Sequence, residues 1–156
     1  QKPPCVACLK IHSEAYLYTM ISTKSHIRVR YAETDQMGFV YYGVYAQYYE
    51  IGRVELIRQL GFSYKEMESR GIWLPVRNFN IEYLNPAYYD EVLTLTTTLH
   101  ELPKGIRIPF TYTLHNAQNV CLNTGFVELA CINSVTKKPC KLPHWFVQAL
   151  EPHFKL

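Results

Sequence analysis

The chain has 156 residues, 48% of them apolar and 19% charged, and a formal net charge of +3. This length and composition predict one globular domain with a substantial hydrophobic core and exclude a disordered protein. No apolar run approaches the roughly 20 residues that a membrane-spanning helix needs. Most lysines and arginines are scattered, which argues against a nucleic-acid-binding protein, because such proteins gather basic residues on one surface.

The five cysteines bear on compartment and metal binding. Their number is odd, and Cys121 and Cys131 fall in predicted strands, where a free cysteine behaves as a small apolar residue. We therefore expect no disulfides, a reducing compartment and a cytoplasmic location. Cys5 and Cys8 form a single C-x-x-C pair with no second pair and no histidine at ligand spacing, so no metal site is expected there.

The first 22 residues are predicted to be an N-terminal extension of one domain that spans residues 23–156. Lys10, His12 and Glu14 interrupt any apolar segment of the kind that a signal peptide requires, so we expect no targeting signal here. Our hypothesis is that Met20 is the natural start and that the residues before it need not belong to the native protein.

An alternating strand pattern that reaches Tyr31 precedes a loop and a long helix. Between Tyr45 and Leu60, apolar and small residues recur at three- and four-residue spacing, which predicts a helix with one broad apolar face. Gly61 ends this helix, as glycine commonly does. Gly52 lies in its middle at a cost of roughly 1 kcal/mol relative to alanine, so we expect a sheet to pack closely against it.

A second, shorter helix and a series of strands follow. Ser63 and Glu66 form a capping-box pattern that opens the helix, and Gly71 ends it. Strands are predicted over residues 74–84, 91–99, 106–114 and 120–133, and a turn at residues 116–119 joins the last two as a hairpin.

Two residues predict local features of these strands. Pro109 indicates a bulge or an edge position, because proline cannot donate a ladder hydrogen bond, and Gly125 indicates a bulge. A short terminal helix is predicted after Pro143. One strand, one long helix and a run of antiparallel strands form an α+β order, distinct from alternating βαβ units.

Asp35 is the most informative residue, because it lies in the loop before the long helix. The first backbone N–H groups of a helix have no partner within it and carry the positive end of its dipole. They can hold a developing oxyanion while the carboxylate acts on a carbonyl carbon, as in acyl transfer. An aspartate in such a turn can equally be a cap or form an Asx-turn, and these residues alone leave both interpretations open.

Three separated motifs resemble those of the 4-hydroxybenzoyl-CoA thioesterase family, and within it those of the short acyl-CoA thioesterases of the Tol-Pal-associated type. They are Arg30-Tyr-Ala-Glu-Thr-Asp35-Gln-Met-Gly38-Phe-Val-Tyr-Tyr42-Gly-Val-Tyr45, Tyr49-Glu50-Ile-Gly-Arg53 and Asn80-Ile-Glu-Tyr83-Leu-Asn-Pro86-Ala87-Tyr-Tyr-Asp90. The resemblance covers residues 24–142. It implies the hot-dog fold, a curved antiparallel sheet wrapped around one long central helix, and assembly as a homodimer or homotetramer with active sites at the subunit boundary.

The resemblance also implies roles for residues of the first motif. Asp35 is the catalytic carboxylate, which attacks the thioester carbonyl or activates a water that does so. The backbone N–H of Tyr42 is the implied oxyanion donor. For the Tyr42 side chain, packing is a more common role than a hydroxyl contact to substrate. Gly38, Gly43 and Tyr45 are expected to contribute to substrate binding, with a conformational role in the tight loop the main one for Gly38.

The implied substrate has an anionic CoA end that a basic surface must hold. Lys137, Lys138 and Lys141 are candidates for binding its phosphates, and Arg77 and Arg107 are others on predicted strands. For any one of these residues, a solvated surface charge is the alternative interpretation.

The implied function is hydrolysis of an acyl-CoA thioester to the free acid and CoA. An acyl-carrier-protein thioesterase and a non-catalytic acyl-CoA-binding protein are the alternatives, and retention of Asp35 in its motif favours the enzyme. The chain has no G-x-S-x-G sequence, no histidine in the loop before the helix as hot-dog dehydratases have, and no glycine-rich phosphate loop. We expect no cofactor and no metal. The acyl group, whether long or short, aromatic or aliphatic, stays open.

Overall fold

The sequence alternation produces a five-stranded antiparallel sheet in the computed structural model, which describes residues 20–154. The strands are β1 (Ile21–Arg28), β2 (Ile72–Trp73), β3 (Val76–Tyr83), β4 (Val92–Leu99), β5 (Arg107–His115), β6 (Cys121–Ala130) and β7 (Ile132–Asn133). The helices are α1 (Tyr45–Gln59), α2 (Tyr64–Ser69) and α3 (His144–Leu150), with 3-10 turns at Tyr31–Glu33, Tyr42–Val44 and Glu151–His153.

The main sheet has the strand order β1-β4-β5-β6-β3, and β2 pairs separately with β7. The long helix α1 packs on β1 and β4. Side chains of β1 alternate between buried and exposed along the whole strand, which places one face against the core and the other in solvent. An antiparallel sheet packed on one long helix is the α+β, hot-dog arrangement that the resemblance implied, and that prediction is confirmed.

Gly52 brings α1 close to the sheet. A Cβ atom at this position would overlap the side chains of Thr97 and Leu95 on β4. The close packing predicted for this glycine is therefore confirmed, because any larger residue would push the helix away from the sheet.

On the sheet, Gly125 allows a second close contact with α1. The predicted bulge is wrong, since Gly125 pairs in regular register with Ile81 on β3 and Tyr112 on β5. Its missing side chain instead makes room for the ring of Tyr49 on α1. That ring stacks on Tyr112 with ring centroids 4.2 Å apart, so the helix is held on the sheet by aromatic packing.

Two predicted strands have different bounds in the structure. The strand predicted over residues 74–84 is β3, which begins later than predicted, after Pro75, a residue with no N–H to donate; β2 lies just before the predicted range. The strand predicted over residues 120–133 becomes β6 and β7, and the break falls at Cys131. The pairing of β5 with β4 stops at Thr111. Pro109, two residues earlier in the chain, therefore pairs only with Glu128 on β6. It therefore occupies a local edge, one of the two positions predicted for it.

The predicted caps and the terminal helix are present. The Glu66 N–H donates to Ser63 Oγ at 3.2 Å, and the Ser63 N–H donates to Glu66 Oε2 at 2.8 Å. These reciprocal bonds are the capping box that opens α2. The terminal helix α3 begins directly after Pro143.

At its N-terminal end the sheet extends beyond the predicted domain boundary. Strand β1 begins at Ile21, two residues before the predicted start at residue 23, and Ile21 is buried and pairs with Leu99. Residues 1–19, which include Cys5 and Cys8, lie outside the described residues, so the hypothesis about Met20 stays a prediction. Within the described part of the chain, no helix is long and apolar enough to cross a membrane.

Candidate active site

Asp35 lies in a tight turn that backbone hydrogen bonds close. The Asp35 N–H donates to the Phe39 carbonyl at 3.0 Å, and the Gly38 N–H donates to the Asp35 carbonyl at 2.9 Å. Gly38 has a φ of 82°, in the left-handed region that glycine adopts without strain, so it permits the loop as expected. The Met37 N–H donates to Asp35 Oδ1 at 2.8 Å, which is the Asx-turn that the sequence left open.

This turn leaves half of the Asp35 carboxylate available. Among residues 20–154, Asp35 Oδ2 makes no hydrogen bond and no ion pair, and the residue is half-buried. The Asx-turn and a catalytic role are therefore compatible, because one oxygen orients the carboxylate while the other faces no competing partner.

The chain enters α1 through the 3-10 turn that begins at Tyr42. The Val44 N–H donates to the Tyr41 carbonyl at 2.9 Å, and no side chain caps this turn. Within the described residues, the backbone N–H groups of Tyr42 and Gly43 have no acceptor. Two free donors thus stand at the positive end of the helix dipole, where an oxyanion would be stabilised.

An apolar cleft of about 320 Å³ opens where the Asp35 loop meets the helix start and the end of β3. It is lined by Phe39, Val40, Tyr42, Tyr45, Tyr83, Leu84, Asn85 and Pro86. The loop contributes Phe39, whose carbonyl closes the Asp35 turn, and the helix start contributes Tyr42, which carries a free N–H. The carboxylate loop and Tyr42, with its free N–H, therefore border the same apolar space.

The other residues predicted at the helix start have different surroundings. Tyr45 is 3% exposed and forms part of the cleft wall, and burial raises the pKa of its hydroxyl to about 12. Tyr42 is 64% exposed, and its ring lies against that of Tyr41 with centroids 4.4 Å apart. Gly43 does not line the cleft; a Cβ atom there would overlap the Tyr41 ring, so the glycine leaves room for that side chain.

Glu33 is a buried carboxylate beside the site that sequence reasoning did not single out. Its Oε2 accepts the Arg30 N–H at 2.7 Å and the Tyr48 hydroxyl at 2.8 Å, and its Oε1 accepts the Arg30 Nε–H at 2.8 Å. The Glu33 carbonyl accepts the Tyr41 N–H at 2.9 Å. These bonds connect the segment that follows β1, the loop that carries Asp35 and the helix α1.

The Glu33 carboxyl is ionised at neutral pH despite its burial. Burial by itself raises its pKa, but hydrogen bonds from the Arg30 N–H and guanidinium and from the Tyr48 hydroxyl outweigh that effect and hold the pKa below its ordinary value. The spacing of Arg30 and Glu33 is the one local signal of this network in the sequence. Tyr48 lies 15 residues away from Glu33, so its part could not be read from a local pattern.

The predicted phosphate-binding lysines lie on the connection between β7 and α3. Lys137, Lys138 and Lys141 are exposed, and Lys137 Nζ lies 3.4 Å from the centre of the Trp73 ring. No hydrogen bond or ion pair of the described chain brings these lysines to the Asp35 loop or the cleft. Arg77 and Arg107 both pair with Glu128, at 2.5 and 3.9 Å, so their charges are partly neutralised.

Among residues 20–154, no group of three or more histidine, cysteine, aspartate or glutamate side chains is placed to hold a metal ion. In the same part of the chain, Cys121, Cys131 and Cys140 form no disulfide. Expectations about metals and disulfides for the whole chain stay predictions, because Cys5 and Cys8 lie outside the described residues.

Comparison with known proteins decides the family. Residues 29–150 match the model of the thioesterase-like superfamily. The chain belongs to this superfamily. It is a thioester hydrolase, as the resemblance of its motifs implied.

This thioesterase has close relatives among curated proteins and solved structures. It is 33% identical over 117 residues to the acyl-CoA thioester hydrolase YbgC of Escherichia coli O6:H1, which covers 75% of this chain and 87% of the relative. It shares 35% identity and a TM-score of 0.76 with the DHNA-CoA thioesterase of Staphylococcus aureus, over 86% of this chain and 96% of that one. It also shares 34% identity and a TM-score of 0.78 with the Thermus thermophilus protein TT1821. This match covers 83% of this chain and 98% of that one.

Proposed function

We propose that the chain hydrolyses acyl-CoA thioesters to the free acid and CoA, with Asp35 as the catalytic carboxylate. One observation carries the proposal: the loop that holds Asp35 borders the same apolar cleft as Tyr42, whose free N–H lies at the helix start next to that of Gly43. An apolar cleft suits an acyl group, and the carboxylate and donors suit attack on its thioester carbonyl. The relative YbgC, named an acyl-CoA thioester hydrolase, supports the same substrate class.

The proposed reaction needs few groups. Asp35 attacks the thioester carbonyl carbon, or takes a proton from a water that does so, and the carbonyl oxygen becomes an oxyanion. The backbone N–H groups of Tyr42 and Gly43 donate hydrogen bonds to that oxyanion. Collapse of the intermediate breaks the carbon–sulfur bond and releases CoA thiolate, which leaves readily enough that no strong general acid is required. If water is the nucleophile, this step gives the free acid, and the proton held by Asp35 passes to the thiolate. If Asp35 is the nucleophile, this step gives an acyl–Asp35 anhydride, which a water then hydrolyses to the free acid and the Asp35 carboxylate.

A homodimer or homotetramer is part of the proposal. Strand β3 is an edge of the main sheet, and nearly all of its side chains are exposed on both faces. Three of them are large and apolar: Val76, Phe79 and Tyr83. An exposed apolar edge strand is a surface that proteins normally cover, and a second copy of the chain would cover it here.

We also propose a cytoplasmic location. We further propose that basic residues bind the phosphates of CoA. Lys137, Lys138 and Lys141 are better candidates for the CoA phosphates than Arg77 and Arg107, because Glu128 already pairs with both arginines. Phosphate contacts of this exposed kind are screened by salt, so they would raise KM with ionic strength and leave kcat nearly unchanged.

The test is thiol release by the purified protein from short, medium, long and aromatic acyl-CoA, from the matching acyl-pantetheine, and from an acyl-carrier-protein thioester. We expect turnover of acyl-CoA. Turnover of the carrier-protein thioester alone would replace CoA by that carrier, and tight acyl-CoA binding without thiol release would contradict the proposal and favour a binding protein.

The same assay tests the lysines. A triple variant with Lys137, Lys138 and Lys141 replaced by alanine should lower kcat/KM for acyl-CoA and leave it unchanged for acyl-pantetheine, which has no nucleotide phosphates. A matched variant that replaces Lys24, Lys65 and Lys104, three other exposed lysines, controls for the loss of three charges. An equal fall for both substrates, or for neither, would remove the lysines from the CoA site.

A further inference from the structure

Tyr83 makes a contact that the reaction proposed above does not use. Its hydroxyl donates to the Tyr42 carbonyl at 3.0 Å, across 41 residues of sequence. Tyr83 is the last residue of β3, and Tyr42 is the first residue of the turn that opens α1. The Tyr83 ring also lines the cleft and lies against Tyr45, with ring centroids 5.6 Å apart. One side chain therefore ties the edge strand to the helix start at the cleft.

The accepting carbonyl belongs to a peptide group that matters for the reaction. The Tyr42 C=O and the Gly43 N–H are two ends of one planar peptide unit, and that N–H has no acceptor among residues 20–154. A hydrogen bond to the C=O end polarises the unit and strengthens the N–H as a donor, by roughly 10–30% for each such bond. It also fixes the plane in which the N–H points.

The Tyr83 hydroxyl is suited to donate rather than to exchange a proton. Burial, together with the nearby Tyr42, raises the pKa of Tyr83 above its ordinary value, so the hydroxyl stays protonated at neutral pH. Apart from the hydroxyls of Tyr42, Tyr45 and Tyr83 and the amide of Asn85, the cleft wall is apolar, so little else there competes for this donor.

We infer that Tyr83 is a positioning residue of the thioesterase reaction, whose hydroxyl holds and polarises the Tyr42–Gly43 peptide that receives the oxyanion. This inference rests on the proposed function. Because the oxyanion exists only after attack on the carbonyl, the loss of this hydroxyl should slow the chemical step and leave substrate binding intact.

The test is Tyr83→Phe, which removes the hydroxyl and keeps the ring in the cleft wall. We expect kcat to fall about tenfold, less than the 100-fold or more that follows loss of an oxyanion donor itself, with KM within about twofold of wild type. Tyr89→Phe is the matched control, because Tyr89 is an exposed tyrosine outside the cleft; its kcat should equal that of wild type. Tyr83→Leu removes the ring wall as well and should raise KM in addition.

The outcomes separate this inference from the proposed function. Absence of thiol release by wild-type protein, or full activity in Asp35→Asn, would contradict the proposed function. Wild-type activity that depends on Asp35, together with an unchanged kcat in Tyr83→Phe or a rise in KM alone, would overturn the inference. Light scattering on each variant checks that assembly is the same, because β3 is also the proposed contact between copies.

A second variant tests the role of the Tyr83 hydroxyl if Tyr83→Phe does not fold. Replacing Tyr83 by 3,5-difluorotyrosine keeps the ring and the hydroxyl and lowers the hydroxyl pKa. We expect kcat of this protein to fall as pH rises and the fluorinated hydroxyl ionises, in a range where wild-type kcat is constant. The same kcat–pH profile in both proteins would overturn the inference, because ionisation of the hydroxyl would then cost nothing.

Discussion

At the scale of single residues, the candidate site has two carboxylates: Asp35, the proposed catalytic group, and Glu33, which holds the Asp35 loop against α1. Asp35 keeps one oxygen free, whereas both oxygens of Glu33 are engaged by Arg30 and Tyr48. Two carboxylates separated by one residue thus have distinct environments. The buried one connects the Asp35 loop to α1, so its loss should disturb the position of the site and the stability of the fold together.

The pH dependence of stability tests the Glu33 network. Its pKa in the folded protein lies below the ordinary value of 4.5, so its contribution to stability is present above that value and is lost as pH falls through the folded pKa. We expect Glu33→Gln to lower the free energy of unfolding by about 1–3 kcal/mol at pH 7 and by much less below pH ~4. Urea unfolding at pH 7 and below pH ~4 measures this change in the free energy of unfolding. Glu68→Gln, on the exposed face of α2, is the control and should show little change at either pH. An equal cost at both pH values would contradict the role assigned to the Glu33 charge.

At the scale of elements, the position of α1 on the sheet depends on close contacts through Gly52 and Gly125. The first contact was predictable, because a glycine in the middle of an amphipathic helix indicates a close neighbour. The second was not, since the partner of Gly125 is Tyr49, 76 positions earlier in the chain, and only the folded structure brings them together.

Gly125→Ala should therefore destabilise the protein through overlap with the Tyr49 ring. We expect a loss of about 1–3 kcal/mol in the free energy of unfolding, because the stacked ring has no free space to enter. A double-mutant cycle with Tyr49→Leu provides the control: once the ring is gone, Gly125→Ala should cost close to nothing. The same cost in both backgrounds would show that the backbone, and not this contact, requires glycine.

What the sequence could predict at this scale follows the range of the interactions. Strand alternation, the helix, the capping box at Ser63 and the loop at Gly38 are local, and their elements are present in the structure. Asp35 came from local spacing and the family motif together. Glu33 and Tyr83 lie inside quoted motifs, but their partners, Tyr48 and Tyr42, are 15 and 41 residues away. Their roles depend on tertiary contacts that no spacing rule contains.

At the scale of the whole molecule, the main sheet has two edges that differ. Strand β1 is half-buried with regular alternation, whereas β3 exposes side chains on both faces. Tyr83, at the end of β3, lies in the cleft, so a second copy placed on this edge would also lie beside the active site. Assembly and catalysis are therefore expected to be linked at β3.

Light scattering tests this assembly. The wild-type mass should be two or four times the 18.2 kDa of one chain at micromolar concentration. Val76→Lys places a charge on the exposed edge strand and should shift the protein toward monomer. Val135→Lys makes the same change at an 84% exposed position outside β3 and should leave the mass unchanged. An active wild-type monomer would contradict the proposed assembly.

The most direct measurement of the central claim compares CoA release by wild-type protein, Asp35→Asn and Asp90→Asn. Asp90 is the one other aspartate in the chain. It is exposed and forms an ion pair with Arg28, so its replacement controls for the loss of a carboxylate. If Asp35 is the nucleophile or general base, Asp35→Asn should lower kcat by about 100-fold or more with an unchanged fold, and Asp90→Asn should retain wild-type kcat. Near wild-type kcat in Asp35→Asn protein, shown by mass spectrometry to be free of deamidation, would contradict the account.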